Sequence, residues 1–139
     1  MIVLDTNVVS ALMDAPPDPV VVKWLDRQPF DSVWITSVTV FEVRFGLELL
    51  PRGRRRESLE SAFRRLIAEK IENRILSFDE DAATIAASLA AQRQRESRRA
   101  EIPDTQIAGI VIARRAALAT RNVRHFSDID APVVNPWMA

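Results

Sequence analysis

Apolar positions along the chain alternate between short solid runs and longer periodic stretches. Ile2-Val3-Leu4 is a solid run rich in β-branched residues. It reads as a buried strand covered on both faces. The run stops at Asp5, and Thr6 and Asn7 then offer caps for a helix over Val8 to Met13. A loop rich in Asp and Pro at 14–19 leads into a short helix from Val20 to Asp26. After a turn at Pro29–Ser32, Val33-Trp34-Ile35 is the second buried strand. Thr36 and Ser37 precede Val38 to Leu50, whose first eight residues partly alternate as a strand would. Thirteen residues without a break favour a helix there.

Beyond the basic turn at Pro51–Arg56, the residues Leu59, Phe63, Leu66, Ile67 and Ile71 keep the spacing of one helical face. Ile75 to Phe78 is a short strand or extended connection, and Asp79 caps an Ala-rich helix running to about Arg98. The charged end of that helix, Gln92 to Arg99, is read as solvated. Glu101 to Asp104 opens another helix with proline at its first position. Thr105 to Ala117 is apolar around most of its circumference, which makes this helix central and buried. Leu118 to Thr120 is a strand, Arg121-Asn122 a turn, and Ala131 to Val134 a final edge strand where proline is tolerated. Trp137 is placed to pin the tail. Strands alternating with helices in this order predict an α/β sandwich with a mainly parallel sheet. At 139 residues the chain is expected to be one domain.

Composition narrows the class without naming an activity. Hydrophobic residues at 47% and charged residues at 27% are ordinary for a soluble globular protein. Cysteine is absent, so a disulfide framework and thiolate metal ligands are excluded. The first apolar run is too short to span a bilayer and has no basic leader, so no membrane partner and a cytoplasmic location are expected. Net charge is zero, so bulk charge announces no nucleic-acid partner. Only Lys23 and Lys70 of the 19 basic residues are lysine. Arginine's planar fork suits phosphate, although a GC-rich coding bias accounts for the excess equally well.

Three acids share one structural description. Asp5 ends a strand, and in open α/β sheets ligands bind at that carboxyl edge. At about 100° per residue, Glu42 falls between Val38, Phe45 and Leu49 on one side and Thr39 and Gly46 on the other. Arg44 and Glu48 lie opposite. Glu42 is therefore expected to face inward, where an unpaired charge is costly. Asp104 lies in the first turn of the buried helix, where the helix dipole favours a negative charge. Asn122 follows another strand end. Taken singly, Asp5 has a plain reading as a cap or turn residue, Glu42 as a solvated-face residue, which its position argues against, and Asp104 as a first-turn acid. Together they repel: two carboxylates ~4 Å apart cost about 4 kcal/mol at an effective dielectric of 20. Such a cluster takes up protons or a divalent cation, and an all-oxygen donor set suits Mg²⁺ or Mn²⁺ rather than Zn²⁺. The chemistry it serves is phosphoryl transfer.

The motifs Leu-Asp-Thr-Asn at 4–7, Ser-Val-Thr-Val-Phe-Glu-Val-Arg-Phe-Gly at 37–46, Pro-Asp-Thr-Gln-Ile-Ala at 103–108 and Leu-Ala-Thr-Arg-Asn-Val-Arg-His-Phe at 118–126 stand in a specific order and spacing. With the Asn-Pro-Trp tail at 135–137, the chain resembles a PIN-domain ribonuclease over nearly its whole length. The likeness is greatest to VapC-type toxins of the FitB-like branch. The resemblance implies a three-layer α/β/α sandwich with a central, mainly parallel sheet of four to five strands, as a single PIN domain over residues 1–139. It implies an endoribonuclease, the toxin of a type II toxin–antitoxin pair, cutting RNA to leave a 5′-phosphate. Mg²⁺ or Mn²⁺ would be bound mainly by Asp5 and Asp104, with Glu42 completing the acidic cluster. The implied partners are a small DNA-binding antitoxin, a second copy in a homodimer, and operator DNA for the hetero-oligomer. Family members often carry a fourth acid where this chain has Asn122, whose amide oxygen can ligate without adding charge. That departure favours one metal over two. Thr6 and Thr120 are candidate supporting hydroxyls.

Other residues are given plainer roles. Arg52–Arg56 and Arg93–Arg99 are read as solvated faces, with contacts to RNA phosphates as the alternative. His125, the one histidine, is assigned to packing or a surface hydrogen bond ahead of a general base. Trp24, Trp34 and Trp137 are read as core or dimer-interface residues. Competing folds fit less well. A receiver domain needs an acidic pair after the first strand and a late lysine, and a haloacid-dehalogenase-type phosphatase needs Asp-x-Asp. Gly46, Gly53 and Gly109 form no phosphate loop. The remaining alternative is a PIN-like module that binds RNA or a partner without cutting.

Overall fold

The computed structural model describes residues 1–139. Five parallel strands form one sheet in the order β3-β2-β1-β4-β5, with helices on both faces. Strand β1 (Ile2–Leu4) lies in the middle, between β2 (Val33–Thr36) and β4 (Ala117–Ala119). Ile2 is in register with Val33 on one side and Ala117 on the other. The short strands β3 (Ile75–Leu76) and β5 (Val133–Val134) form the two edges. All five strands, the expected final edge strand included, therefore point their carboxyl ends the same way.

Side chains alternate across a strand, and that alternation separates two cores. Leu4, Val33, Ile35 and Ala119 pack on one face against α1 (Thr6–Met13), α2 (Pro19–Asp26), α3 (Ser37–Leu49) and α4 (Arg54–Arg65). Val3, Leu76 and Leu118 pack on the other face against α5 (Glu80–Arg95) and α6 (Ile102–Ala113). This is the expected three-layer α/β/α sandwich. Helix α6 buries Thr105, Ile107, Ala108, Gly109, Ile110 and Val111, as a stretch apolar all round should. Gly109 lets α5 come close. A Cβ at this position would stand 2.5 Å from the Ala82 carbonyl oxygen and 2.8 Å from the Ala86 Cβ.

Four local expectations differ from the structure. Thr6 and Asn7 do not cap α1; the Asp5 carboxylate does, accepting from the Thr6 amide, and both residues lie in the first turn. The basic stretch is only partly a turn, because α4 begins at Arg54 and continues into a wide π-helical turn at Leu66–Lys70. The face of α3 that carries Phe45 and Leu49 is exposed; the buried residues are Val38, Thr39, Val43 and Leu47. Glu42 is consequently half-buried rather than enclosed. Lastly, the end of α5 is not uniformly solvated: Arg93 is 2% exposed. It continues the buried face of Ala82, Ala86 and Leu89 at helical spacing.

The tail is pinned as expected. The Trp137 indole N–H donates to Asp18 at 2.9 Å, and the Arg121 guanidinium lies 4.6 Å from the ring centre. Trp24 is core, while Trp34 packs partly buried against the second core. No helix is long and apolar enough to cross a membrane.

Candidate active site

Asp5 follows directly from β1 and is 3% exposed. Its Oδ1 accepts from the Thr6 amide at 2.8 Å. Its Oδ2 accepts from the Thr120 hydroxyl at 2.8 Å and from the Asn7 side-chain amide at 3.3 Å. Thr120 follows β4, the neighbour of β1, so parallel pairing alone sets this hydroxyl beside the carboxylate. The Thr120 Oγ1 also accepts from Asn7 Nδ2 at 3.2 Å and from the Asn122 amide at 3.1 Å. Asn7 completes the tie by accepting from the Arg121 amide at 3.1 Å. Sequence reasoning gave Asn7 only a capping role. Its position two residues after a strand-end acid, at the switch between β1 and β4, was the available signal.

Glu42 is reached from the same turn. The Thr6 hydroxyl donates to Glu42 Oε1 at 2.7 Å. With that proton committed, the 3.0 Å contact between Thr6 and Thr39 has the Thr39 hydroxyl donating. Thr39 is buried in the first turn of α3, whose cap is Thr36 after β2. Thr6 thus joins Asp5, through its backbone, to Glu42, through its side chain.

Asp104 enters from the other layer, in the first turn of α6. Its Oδ2 lies 3.2 Å from His125 Nδ1. His125 belongs to a short 3₁₀ turn, Val123–Phe126, that follows β4. Behind this pair lies Arg93. Its guanidinium donates twice to Asp128, at 2.9 and 2.8 Å, once to the Thr105 hydroxyl at 2.9 Å and once to the His125 carbonyl at 2.9 Å. Asp104 and His125 open onto a groove of about 780 Å³ between α5 and the start of α6, lined by Ala83, Ala86, Ala87 and Ala90 and by Arg98 and Arg99. Asp5 and Glu42 lie outside that groove.

The electrostatics tie the three acids together. Burial pushes the Asp5 carboxyl up from 3.8 to about 6, against the pull of the Thr120 and Thr6 hydrogen bonds, and the charges of Asp104 and Glu42 push it further. No arginine or lysine pairs with any of the three; their one basic contact is His125 to Asp104. The acids do not close into a cage of three side chains at ligating distance. They leave a region of concentrated negative charge with oxygen donors only. That donor set and the missing counter-charge fit a hard divalent cation such as Mg²⁺ or Mn²⁺. Asn122 is exposed in the turn after β4, and its side chain makes no hydrogen bond to the acids.

The PIN domain family model matches residues 2–132. The VapC ribonuclease Y4jK of Sinorhizobium fredii is 36% identical over 137 residues, covering 99% of this chain and 98% of that protein. Toxin FitB of Neisseria gonorrhoeae is 34% identical over 137 residues, with 99% of each chain covered. A solved structure of FitAB bound to an IR36 DNA fragment superposes with a TM-score of 0.86 at 34% identity, covering 99% of this chain and 96% of that one. Relatives of that length and identity, on the same fold and with the family model matching most of the chain, place it in the PIN domain family, among proteins of the VapC and FitB kind.

Proposed function

We propose that the chain is a Mg²⁺- or Mn²⁺-dependent endoribonuclease, the toxin of a toxin–antitoxin pair, with Asp5, Asp104 and Glu42 holding the metal. The observation that carries this reading is Asp5: a buried carboxylate facing two further acids with no cationic partner. The likeness to a VapC ribonuclease and to the toxin FitB supports the same reading. The bound ion would supply Lewis acidity for water and for the scissile phosphate. The chain's own residues do the positioning. Thr120 and Asn7 fix the orientation of Asp5, and Thr6 holds Glu42 toward the same edge. Asn122, exposed nearby, would take part as a neutral oxygen donor or water holder. It adds no charge, which favours a single metal.

The purified protein is expected to cut a structured RNA with Mn²⁺ or Mg²⁺ and to stop when EDTA is added. RNA affinity that persists in EDTA, without cleavage under any metal, would establish the second reading instead, a non-catalytic binding module. Asn122 in place of an acid is what favours that alternative.

The proposed partners are RNA, a small DNA-binding antitoxin and a second copy of the chain. The FitAB–DNA relative supports the antitoxin and the operator complex. The homodimer is supported by α3, where Phe41, Phe45 and Leu49 are 68%, 56% and 69% exposed and the two phenylalanine rings stack at 6.0 Å. A contiguous apolar ridge of this kind marks an association surface. Phe41→Ser with Phe45→Ser is expected to turn a sedimenting dimer into a monomer; a parent chain that sediments as a monomer rules the dimer out. The proposed location is the cytoplasm.

A further inference from the structure

His125 has no role in the function just described, yet three observations set it against Asp104. Its Nδ1 lies 3.2 Å from Asp104 Oδ2, and it is the only basic side chain paired with any of the three acids. Its backbone is held, because the His125 carbonyl accepts from Arg93 Nη2 at 2.9 Å. The same guanidinium holds the Thr105 hydroxyl, one residue from Asp104, and is itself gripped by both oxygens of Asp128. Asp104 and His125 are thus fixed to each other through one buried group. That arrangement exceeds what a solvent-facing ring needs for its own stability, since the His125 side chain is 56% exposed.

We infer that His125 is a positioning residue for Asp104: its Nδ1–H donates to Asp104 Oδ2 and turns Oδ1 toward the metal site. An ionised carboxylate only accepts, so the contact selects the imidazole with its proton on Nδ1, the less common tautomer of a free ring. Nε2 is then left as an acceptor. A ligand carboxylate with one oxygen already occupied is held in a single orientation and loses less freedom when it binds a cation. The inference rests on the metal reading above and extends it to a residue outside the acidic trio.

The chain has one histidine, so its imidazole nitrogens can be followed by NMR without assignment ambiguity. In metal-free protein at pH 8, the Nδ1–H tautomer is expected to dominate, and to give way to Nε2–H in Asp104→Ala. An Nε2–H ring in the parent overturns the inference without any metal being involved. His125→Ala is expected to bind Mn²⁺ about 10- to 100-fold more weakly, the range for lost outer-shell partners. In RNA cleavage kcat should fall while KM for RNA holds. His125→Asn, which keeps an N–H donor close to the Nδ1 position, should recover most of both losses. If the parent binds Mn²⁺ and His125→Ala binds it equally well, the inference fails and the metal reading stands. A parent that takes up no Mn²⁺ overturns both.

Discussion

Asp5→Asn is expected to abolish RNA cleavage while making the metal-free protein more stable at pH 8. The two effects share one cause. Burial raises the folded-state Asp5 pKa to about 6 from an ordinary 3.8, and neighbouring acids add to the shift. Between those values the folded chain binds a proton that the unfolded chain does not. Its stability therefore falls as pH rises from about 4 through about 6, then stays level. Roughly two pKa units correspond to about 3 kcal/mol given up at neutral pH. Asparagine keeps the shape and removes the charge, but it has one acceptor oxygen where Asp5 uses two. One lost hydrogen bond returns about 1 kcal/mol, leaving a net gain of about 1–2 kcal/mol. Thermal melts in EDTA should show the variant above the parent at pH 8 and the difference gone by pH 4.5. Mn²⁺ should then raise the parent's melting temperature and not the variant's, because a ligand that binds only the folded state stabilises it. Cleavage by Asp5→Asn or Asp104→Asn should drop by about 100-fold or more, since a catalytic metal supplies several kcal/mol. Parent-like cleavage by these variants would refute the assignment, and a parent melting temperature flat from pH 4 to 7 would refute the buried-charge account.

Arg93→Ala is expected to destabilise the fold by about 3–5 kcal/mol, the range for removing one partner of a buried ion pair. For a domain of this size that is a fall of roughly 10–20 °C in melting temperature. Asp128 would keep only Arg98, at 3.7 Å, and the His125 carbonyl and Thr105 hydroxyl would lose their donor. Arg93→Lys should recover only part, because an ammonium cannot reproduce the fork that meets both Asp128 oxygens. Replacing both partners, Arg93→Met with Asp128→Leu, should recover most of the loss, since no buried charge is then left alone. Acid dependence gives a separate check. The Arg93 hydrogen bond holds the Asp128 pKa below its usual value, so this pair contributes fully above about pH 4 and fades as pH falls through the lowered pKa. Arg93→Ala should lose that acid-limb slope. An Arg93→Ala melt within 2 °C of the parent would show the pair to be dispensable.

What the sequence revealed and what it hid divides by the range of the interaction. The solid run Ile2–Leu4, the all-apolar stretch after Asp104 and the Asp79 cap are local signals, and the strands and helices formed there as expected. Asp5, Glu42 and Asp104 were legible as candidates because each sits at the end or start of such an element. Arg93 was hidden by its neighbours: Arg95, Glu96, Arg98 and Arg99 make the segment look solvated, although 82, 86, 89 and 93 keep the spacing of a buried face. Its partner Asp128 lies 35 residues away. For α3 the error ran the other way. Its apolar residues exceed what one core can bury, so Phe41, Phe45 and Leu49 remain outside and helical phase alone overstated the burial of Glu42. The hydroxyl ties from Thr6 and Thr120 span 36 and 115 residues, and no local pattern announces them.

The central place of β1 has a consequence for the chain as it is made. This strand is made well before one of its two neighbours, β4, which begins at Ala117. Until that segment emerges, Ile2–Leu4 has an open side and Thr120 cannot grip Asp5. Such distant pairing is closed late in folding. The acidic site proposed above is therefore completed only once Thr120 has been made and β4 has docked beside β1.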